Sequence, residues 1–208
     1  MHADLSMRLQ KAISKKQKPM QRPQHPIDVL RLAAVEENAC LHCVKPGDDP
    51  DCGYHCYRQW RKENSIADSI DIKGPGKYGY GAYTKPGVTI KKGEYLDEYI
   101  GDIRPVVRQS DASSAEDDEG PGSLYRFEIE GTFVIDAERA GNWTRFMNSH
   151  CKPNVRTHHD CIGKRHVIIY QAIRDIGPEE ELVYNYGHKY FKAAGIECLC
   201  GSCGKRKK

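Results

Sequence analysis

Long apolar runs are missing from this sequence, and none approaches the ~18 residues that a membrane-spanning helix needs. No helical membrane span is therefore expected. The opening MHADLSMRLQKAISKKQKP also lacks the continuous apolar stretch of a secretory signal. Basic and mildly amphipathic, it reads as a solvated tail entering a helix rather than as a mitochondrial presequence. An excess of one charge is missing too. The net charge of +3 is too small to argue for nucleic-acid binding. There is no internal repeat. What is left is a polar but globular chain of 208 residues, 38% hydrophobic and 29% charged, with room for one core and a small appendage.

Cysteine, by contrast, is plentiful and clustered. Four of the nine fall at Cys40, Cys43, Cys52 and Cys56, three at Cys198, Cys200 and Cys203, and Cys151 and Cys161 stand alone. In the reducing compartment expected of a chain without a secretory signal, such clusters favour zinc over disulfides. The first cluster is a complete set of four thiolates, with His42 and His55 as substitutes. A structural zinc knuckle is the expectation; a reduced, metal-free cluster is the alternative. The C-terminal three need a fourth donor, because tetrahedral zinc takes four. Cys151 is the leading candidate, with Cys161 and nearby histidines as competitors.

Along the chain, residues 1–25 read as a flexible basic arm. Pro26–Ala39 reads as a short helix, with Ile27, Leu30 and Ala34 at helical spacing and Pro26 near its start. Helix and first cluster together make a region 26–65. From Ile66 to about Tyr190 the pattern is mainly strands: GAYTKPGVTI, EYLDEYIG, LYRFEIEGTFVID, KRHVIIYQAI and EELVYNYG, separated by Gly, Pro and Asp turns. Within this stretch, Gln109–Ser123 is acidic and rich in small residues and reads as a mobile loop. Residues 192–208 hold the last cysteines and a basic tail whose KRKK is a nuclear import signal or simply a charged end.

Three stretches carry candidate chemistry. GPGKYGYGAY spells G-x-G-x-x-G at Gly74, Gly76 and Gly79, with Glu94 and Asp97 where a dinucleotide fold places its ribose-binding acid. That fingerprint must open a helix, and the residues that follow are strand formers broken by Pro86-Gly87, so the dinucleotide reading fails. Gly79 and Gly81 instead allow backbone to approach a ligand, with Tyr80 laid against it; a plain hairpin turn is the alternative. RFMNSHCKPN, Arg145 to Asn154, gathers a guanidinium, two amides, a hydroxyl, an imidazole and a thiol in ten residues. In EELVYNYG, strand alternation puts Leu182, Tyr184 and Tyr186 on one face and Val183 and Asn185 on the other. Two phenols on one face could line a polar-tipped channel.

Taken together and in order, these features resemble the SET-domain protein-lysine methyltransferases. Gly79-Tyr80-Gly81 matches the family's GxG turn, Tyr99-Ile100-Gly101 its Tyr-x-Gly, and Tyr125 and Phe127 its Tyr-x-Phe strand. Ile135-Asp136-Ala137 and Gly141-Asn142 match its Ile-Asp-Ala…Gly-Asn run. RFMNSHCKPN is similar to Arg-Phe-x-Asn-His-Ser-Cys-x-Pro-Asn, ELVYNYG to Glu-Leu-x-Phe-Asp-Tyr-Gly, and the last cysteines to a post-SET segment. The resemblance covers roughly Ile66 to Cys203, with the SET domain at 66–191 and the post-SET segment at 192–208.

The resemblance implies a mainly β (α+β) fold of small sheets with a knot-like C-terminal crossing. It implies S-adenosylmethionine and zinc as cofactors, with Cys151 completing the zinc site. The cofactor contacts implied are backbone at Gly79 and Gly81, then Tyr80, Tyr99, Arg145, Asn148, Ser149 and Tyr186. Tyr186 would be the catalytic tyrosine, and Tyr125 and Tyr184 would line the lysine channel. Tyr184, at the family's phenylalanine/tyrosine switch position, implies mono- or dimethylation. A basic protein substrate, a histone tail or nucleosome, is implied, in the nucleus with the cytosol as alternative; nucleic acid would be met only indirectly, through chromatin. Three departures stand out. Asn148-Ser149-His150-Cys151 swaps the family's middle pair, Tyr184-Asn185 replaces Phe-Asp, and the last cysteines are more closely spaced than the family's. The swap keeps a rival reading open, a SET-like scaffold without activity. A zinc-dependent nucleic-acid binder is a third class, which predicts salt-sensitive binding.

Overall fold

The structure, a computed structural model, describes residues 39–46, 49–76, 79–105, 123–129 and 133–203. The basic arm, the helix expected over 26–39 and the acidic loop 109–123 lie outside the described residues except for Ala39 and Ser123, as does the KRKK end. Small sheets dominate, with few helices, as the resemblance implied. No described helix is long and apolar enough to cross a membrane. The chain divides into two compact units. One comprises Met1–Tyr57, Ile100–Gly141 and Cys161–His166; the other comprises Arg58–Tyr99, Asn142–Asp160 and Val167–Lys208.

The first unit contains a three-stranded antiparallel sheet. β4 (Asp102–Pro105) and β5 (Arg126–Ile129) flank β6 (Phe133–Asp136), with Ile103 and Phe127 both opposite Ile135. The stretch LYRFEIEGTFVID is thus two strands of a hairpin. Alternation turns Ile129 and Ile135 inward. Asp136, the acid of the Ile-Asp-Ala motif, is buried and accepts from Ser123 Oγ (2.8 Å) and Arg126 Nε (3.1 Å). Burial alone would raise its pKa, but the Glu138 N–H, Ser123 and Arg126 outweigh it and hold the carboxyl below its ordinary range. An eleven-residue helix, α1 (Tyr54–Asn64), starts inside the first cysteine cluster.

In the second unit, β1 (Ile70–Gly76) and β2 (Gly79–Thr84) form an antiparallel hairpin in which Gly76 pairs with Gly79. The G-x-G-x-x-G glycines therefore close a hairpin and open no helix, which disposes of the dinucleotide reading. β3 (Tyr95–Glu98) pairs with β9 (Arg165–Ala172), which pairs in turn with β8 (Val155–Ile162). Gly163 and Lys164, which fall in the first unit, both have positive φ and join β8 to β9 in the geometry that a tight two-residue hairpin demands. Val167–Tyr170 in β9 is a run of buried β-branched and aromatic residues, and with Leu96, Ile176 and Leu182 it supplies the core. Asp97, the decoy's supposed ribose acid, is 1% exposed. It accepts from Ser65 Oγ (2.8 Å) and Trp143 Nε1 (3.0 Å) and pairs with Arg61 at 3.4 Å. It is a structural hub.

Candidate active site and metal centres

RFMNSHCKPN begins in a 3-10 turn (Trp143–Phe146), continues as β7 (Asn148–Ser149), and is clasped by β10 (Val183–Tyr184). The two short strands run parallel, Asn148 opposite Val183 and Ser149 opposite Tyr184. So short a pair is reinforced by further hydrogen bonds on either side. Asn154, fully buried, donates Nδ2 to the Glu181 carbonyl (2.7 Å), while its Oδ1 accepts the Val183 N–H (2.8 Å). The His150 N–H reaches the Tyr184 carbonyl (3.0 Å), and the Tyr186 N–H reaches Ser149 Oγ (3.3 Å). The two C-terminal motifs are thus held side by side.

Beside the clasp runs a chain of aromatic rings. Tyr99 meets Tyr170, Tyr170 meets Tyr184 (5.1 Å), Tyr184 meets Tyr186 (4.7 Å), and Tyr186 meets Tyr190 (4.7 Å) edge to face. Tyr190 lies in helix α2 (His188–Ala194), and the next residue, Phe191, stacks on Tyr186. The expected alternation holds around β10. Leu182 and Tyr184 are buried, Val183 is half-buried and Asn185 exposed, while Tyr186 is half-buried. The Tyr186 hydroxyl donates to the Met147 carbonyl (2.6 Å), one residue from Asn148. Burial, reinforced by Tyr170 and Tyr186, pushes the Tyr184 pKa well above the ordinary phenol, so its hydroxyl stays neutral. Tyr170 was not singled out in the sequence, where it ends an ordinary buried run.

Among the expected cofactor residues, Tyr80, Gly81 and Asn148 come together. Asn148 Nδ2 donates to the Tyr80 carbonyl (3.2 Å) and to Glu181 Oε1 (2.8 Å). Gly81 faces this pair so closely that a Cβ there would lie 2.7 Å from Glu181 Oε1 and 2.9 Å from Tyr83 Cε2. The space that a Cβ at this buried glycine would take is bounded by side-chain ends, and bare backbone in this cradle fits the close approach that the resemblance implies for S-adenosylmethionine. Tyr80, half exposed, packs edge-on against Phe146, over which lies the Arg145 guanidinium (5.3 Å). Gly79 opens the same strand with φ of 84°. Tyr99 is buried just after β3. Tyr125 belongs to the first unit, in the turn entering β5, and is 37% exposed.

The sulfurs of Cys151, Cys198, Cys200 and Cys203 all lie within 4.8 Å of one another. Two of the separations are 3.7 Å (Cys151–Cys198) and 3.5 Å (Cys200–Cys203). Tetrahedral zinc with Zn–S near 2.3 Å places its sulfurs about 3.8 Å apart, so the four fit that ion. Cys161, the competing fourth ligand, is buried on β8 outside this cluster. Backbone N–H groups of Cys151 and Cys203 pull the Cys200 thiol down to about 5, while the sulfurs of Cys203 and Cys200 push Cys151 up to about 12. The swapped pair is now placed. Ser149 serves the clasp, and His150 reaches with Nε2 to Ser202 Oγ (3.2 Å), between two of the cysteines. His150 is thus a neighbour of the metal site.

The first cluster also brings its four sulfurs within 4.8 Å, so Cys40, Cys43, Cys52 and Cys56 fit the same ion without a histidine. It is the more buried of the two. The Cys40 thiol, which burial alone would raise, is brought to about 7 by the backbone N–H groups of Cys43, Gly163 and His42. Gly163 donates to Cys40 Sγ at 3.3 Å, and Leu41 donates to the Cys161 carbonyl at 2.8 Å. A Cβ on Gly163 would lie 2.1 Å from the Gly53 carbonyl oxygen. Arg165 lies over the rings of Tyr54 and Tyr57 at 4.6 and 4.3 Å. The knuckle therefore grips the β8–β9 turn. Val44, directly after Cys43, has φ of 60°, a strained conformation for a β-branched residue that persists only where its surroundings dictate it.

Comparison with known proteins places this geometry. A SET domain model matches residues 79–187, just over half of the chain. The chain is 30% identical over 169 residues to the histone-lysine N-methyltransferase ASHH1 of Arabidopsis thaliana, covering 78% of this chain and 33% of that protein. It is 40% identical over 123 residues to a histone-lysine N-methyltransferase, H3 lysine-4 specific, of Schizosaccharomyces pombe, covering 54% and 12%. It is also 36% identical over 146 residues to the histone-lysine N-methyltransferase trithorax of Drosophila virilis, covering 70% and 4%. The chain thus spans a third or less of the length of these relatives.

Proposed function

The chain belongs to the SET-domain family, and on that premise we propose that it is an S-adenosylmethionine-dependent protein-lysine N-methyltransferase. Its substrate is a basic protein, a histone tail or nucleosome, its place is the nucleus, and its products are mainly mono- and dimethyl-lysine. The SET domain is taken as 66–191 and the post-SET segment as 192–208. The supporting observation is the hydroxyl of Tyr186, held on the Met147 carbonyl at 2.6 Å, one residue from the Asn148 amide that lines the glycine cradle. A phenol fixed beside the cradle is what methyl transfer to an amine needs.

When bound, the cofactor supplies an electrophilic methyl group on a cationic sulfonium. The chain's own residues do the rest. Gly81 and Asn148 set where the cofactor lies, with Tyr80 and Arg145 flanking it and Gly79, Tyr99 and Ser149 completing the contacts. Tyr186 orients the incoming amine. The rings of Tyr184 and Tyr170 exclude water, which lowers the pKa of a lysine entering among them and favours its neutral, nucleophilic form. The neutral Tyr184 hydroxyl hydrogen-bonds that amine and takes up the space of a third methyl group. The role of Tyr125 as a channel residue rests on the motif alone.

Labelled-methyl transfer onto intact nucleosomes, free histones and a whole-cell extract, followed by mapping of the modified lysine, tests the reading. Transfer to a lysine of a basic protein is expected. Cofactor binding without transfer to any pool would contradict it and favour a scaffold.

A further inference from the structure

Glu181 carries no role in the chemistry above, yet it stands at the centre of the cradle. Its Oε1 accepts from Asn148 Nδ2 at 2.8 Å and would sit 2.7 Å from a Cβ on Gly81. Tyr83 lies beside it, and its pKa is raised first by burial and then by this carboxylate. The backbone of Glu181 is fixed on both sides. Glu181 bridges to Tyr83 across the strands, its carbonyl takes the Asn154 amide, and the next N–H, that of Leu182, bonds the Ala82 carbonyl at 2.8 Å.

The other two acids of the Glu179–Glu181 run are differently engaged. Glu180 pairs with Arg174, and Glu179 lies 3.9 Å from Lys73. Glu181 is half-buried and, among the described residues, has no ion-pair partner. Two consequences follow. Glu181 and the Tyr80 carbonyl are both acceptors, so the Asn148 carboxamide can face them only with its NH2 group, and both of its hydrogens are taken. Only Oδ1 is left to meet a ligand. In addition, Glu181 brings to the cradle a carboxylate that makes no ion pair among the described residues, the nearby Lys73 Nζ lying over the Tyr83 ring (5.0 Å) and pairing with Glu179, in surroundings where water screens the charge only in part.

We propose that Glu181 is the positioning and charge-matching residue of the cradle: it locks the Asn148 carboxamide, and its unpaired carboxylate favours a ligand bearing positive charge. The proposal rests on the cradle being the S-adenosylmethionine site. S-Adenosylmethionine and S-adenosylhomocysteine differ by one methyl group and one positive charge, so the pair isolates the electrostatic part.

The test is calorimetric binding of both ligands to the zinc-loaded full chain. Glu181→Gln keeps an acceptor for Asn148 and removes the charge. It should weaken S-adenosylmethionine about fivefold or more while S-adenosylhomocysteine changes less than about twofold. Glu181→Ala frees the amide as well and should weaken both ligands about tenfold or more. In a double-mutant cycle with Asn148→Ala, the two losses should fall well short of additive. Wild-type affinity for S-adenosylmethionine in both Glu181 variants would overturn the proposal. Equal losses for both ligands in Glu181→Gln would overturn the charge matching, and additivity would overturn action through Asn148. Thermal unfolding checks that the variants are folded. A wild-type chain that binds neither ligand overturns the cofactor reading, and this proposal with it.

Discussion

The first cysteine cluster is largely buried, backed by N–H groups that include Gly163, and gripped through aromatic rings by Arg165. The second lies at the surface, has a histidine–serine hydrogen bond as a neighbour, and takes one ligand, Cys151, from the segment that holds Asn148. Both offer four thiolates to one ion. Their surroundings assign them different work: the first holds folded structure together, and the second holds a functional segment in place. A ligand set identifies a metal; what surrounds the set tells what the metal is for.

Substitution in the first cluster should do the most damage to folding. Cys52→Ser removes a buried ligand and Gly163→Ala drives a methyl into the Gly53 carbonyl, and each should lower stability by more than about 3 kcal/mol, measured by thermal or denaturant unfolding. Little or no loss in Cys52→Ser would break the contrast between the clusters. Cys203→Ser should act in the opposite sense. The second zinc is lost by metal analysis, the unfolding free energy stays within about 1 kcal/mol of wild type, and S-adenosylmethionine binding falls about tenfold or more. A drop in stability without a drop in binding would reverse the roles given to the two sites.

Smaller changes sharpen the same contrast. Tyr184→Phe should leave both metals in place and shift mass-spectrometric product profiles toward trimethyl-lysine; an unchanged distribution contradicts the role given to its hydroxyl. Asp136→Asn probes the first unit without touching its metal. The folded-state pKa of Asp136 is depressed, so its contribution is present above the unfolded carboxylate value of 3.8 and is lost as pH falls through the lower folded one. The variant should therefore be less stable than wild type at neutral pH, by about 1–3 kcal/mol, with the gap narrowing in acid. Ser202→Ala should have the smallest effect, at most about 1 kcal/mol on folding, seen as faster zinc release from the second cluster.

The fold and the metal sites were legible because their signals are local or set by valence. Four donors around zinc required a distant ligand for Cys198, Cys200 and Cys203, and ordered motifs from Gly79 to Gly187 marked the strands around the cradle. What was not legible depends on side chains meeting across long stretches of sequence. Asn154 reads as a turn residue after Pro153, yet its amide ties down the last strand. Glu181 is one of three consecutive acids, and alternation cannot say which of them turns to the cradle. Helix α1 begins between Cys52 and Cys56, where the cysteine spacing speaks of a metal and not of a helix. The swapped Ser149-His150 pair meets partners far off in sequence, Tyr186 and Ser202, which neighbouring residues do not reveal.

The most direct measurement is single-turnover methyl transfer from labelled S-adenosylmethionine to histones and nucleosomes by the zinc-loaded chain, wild type against Tyr186→Phe. Wild type should label a lysine, and the variant should bind the cofactor within about threefold of wild type while its transfer rate falls about a hundredfold or more. Equal transfer rates in the two proteins, or no transfer by a folded wild-type chain that binds the cofactor, would contradict the account.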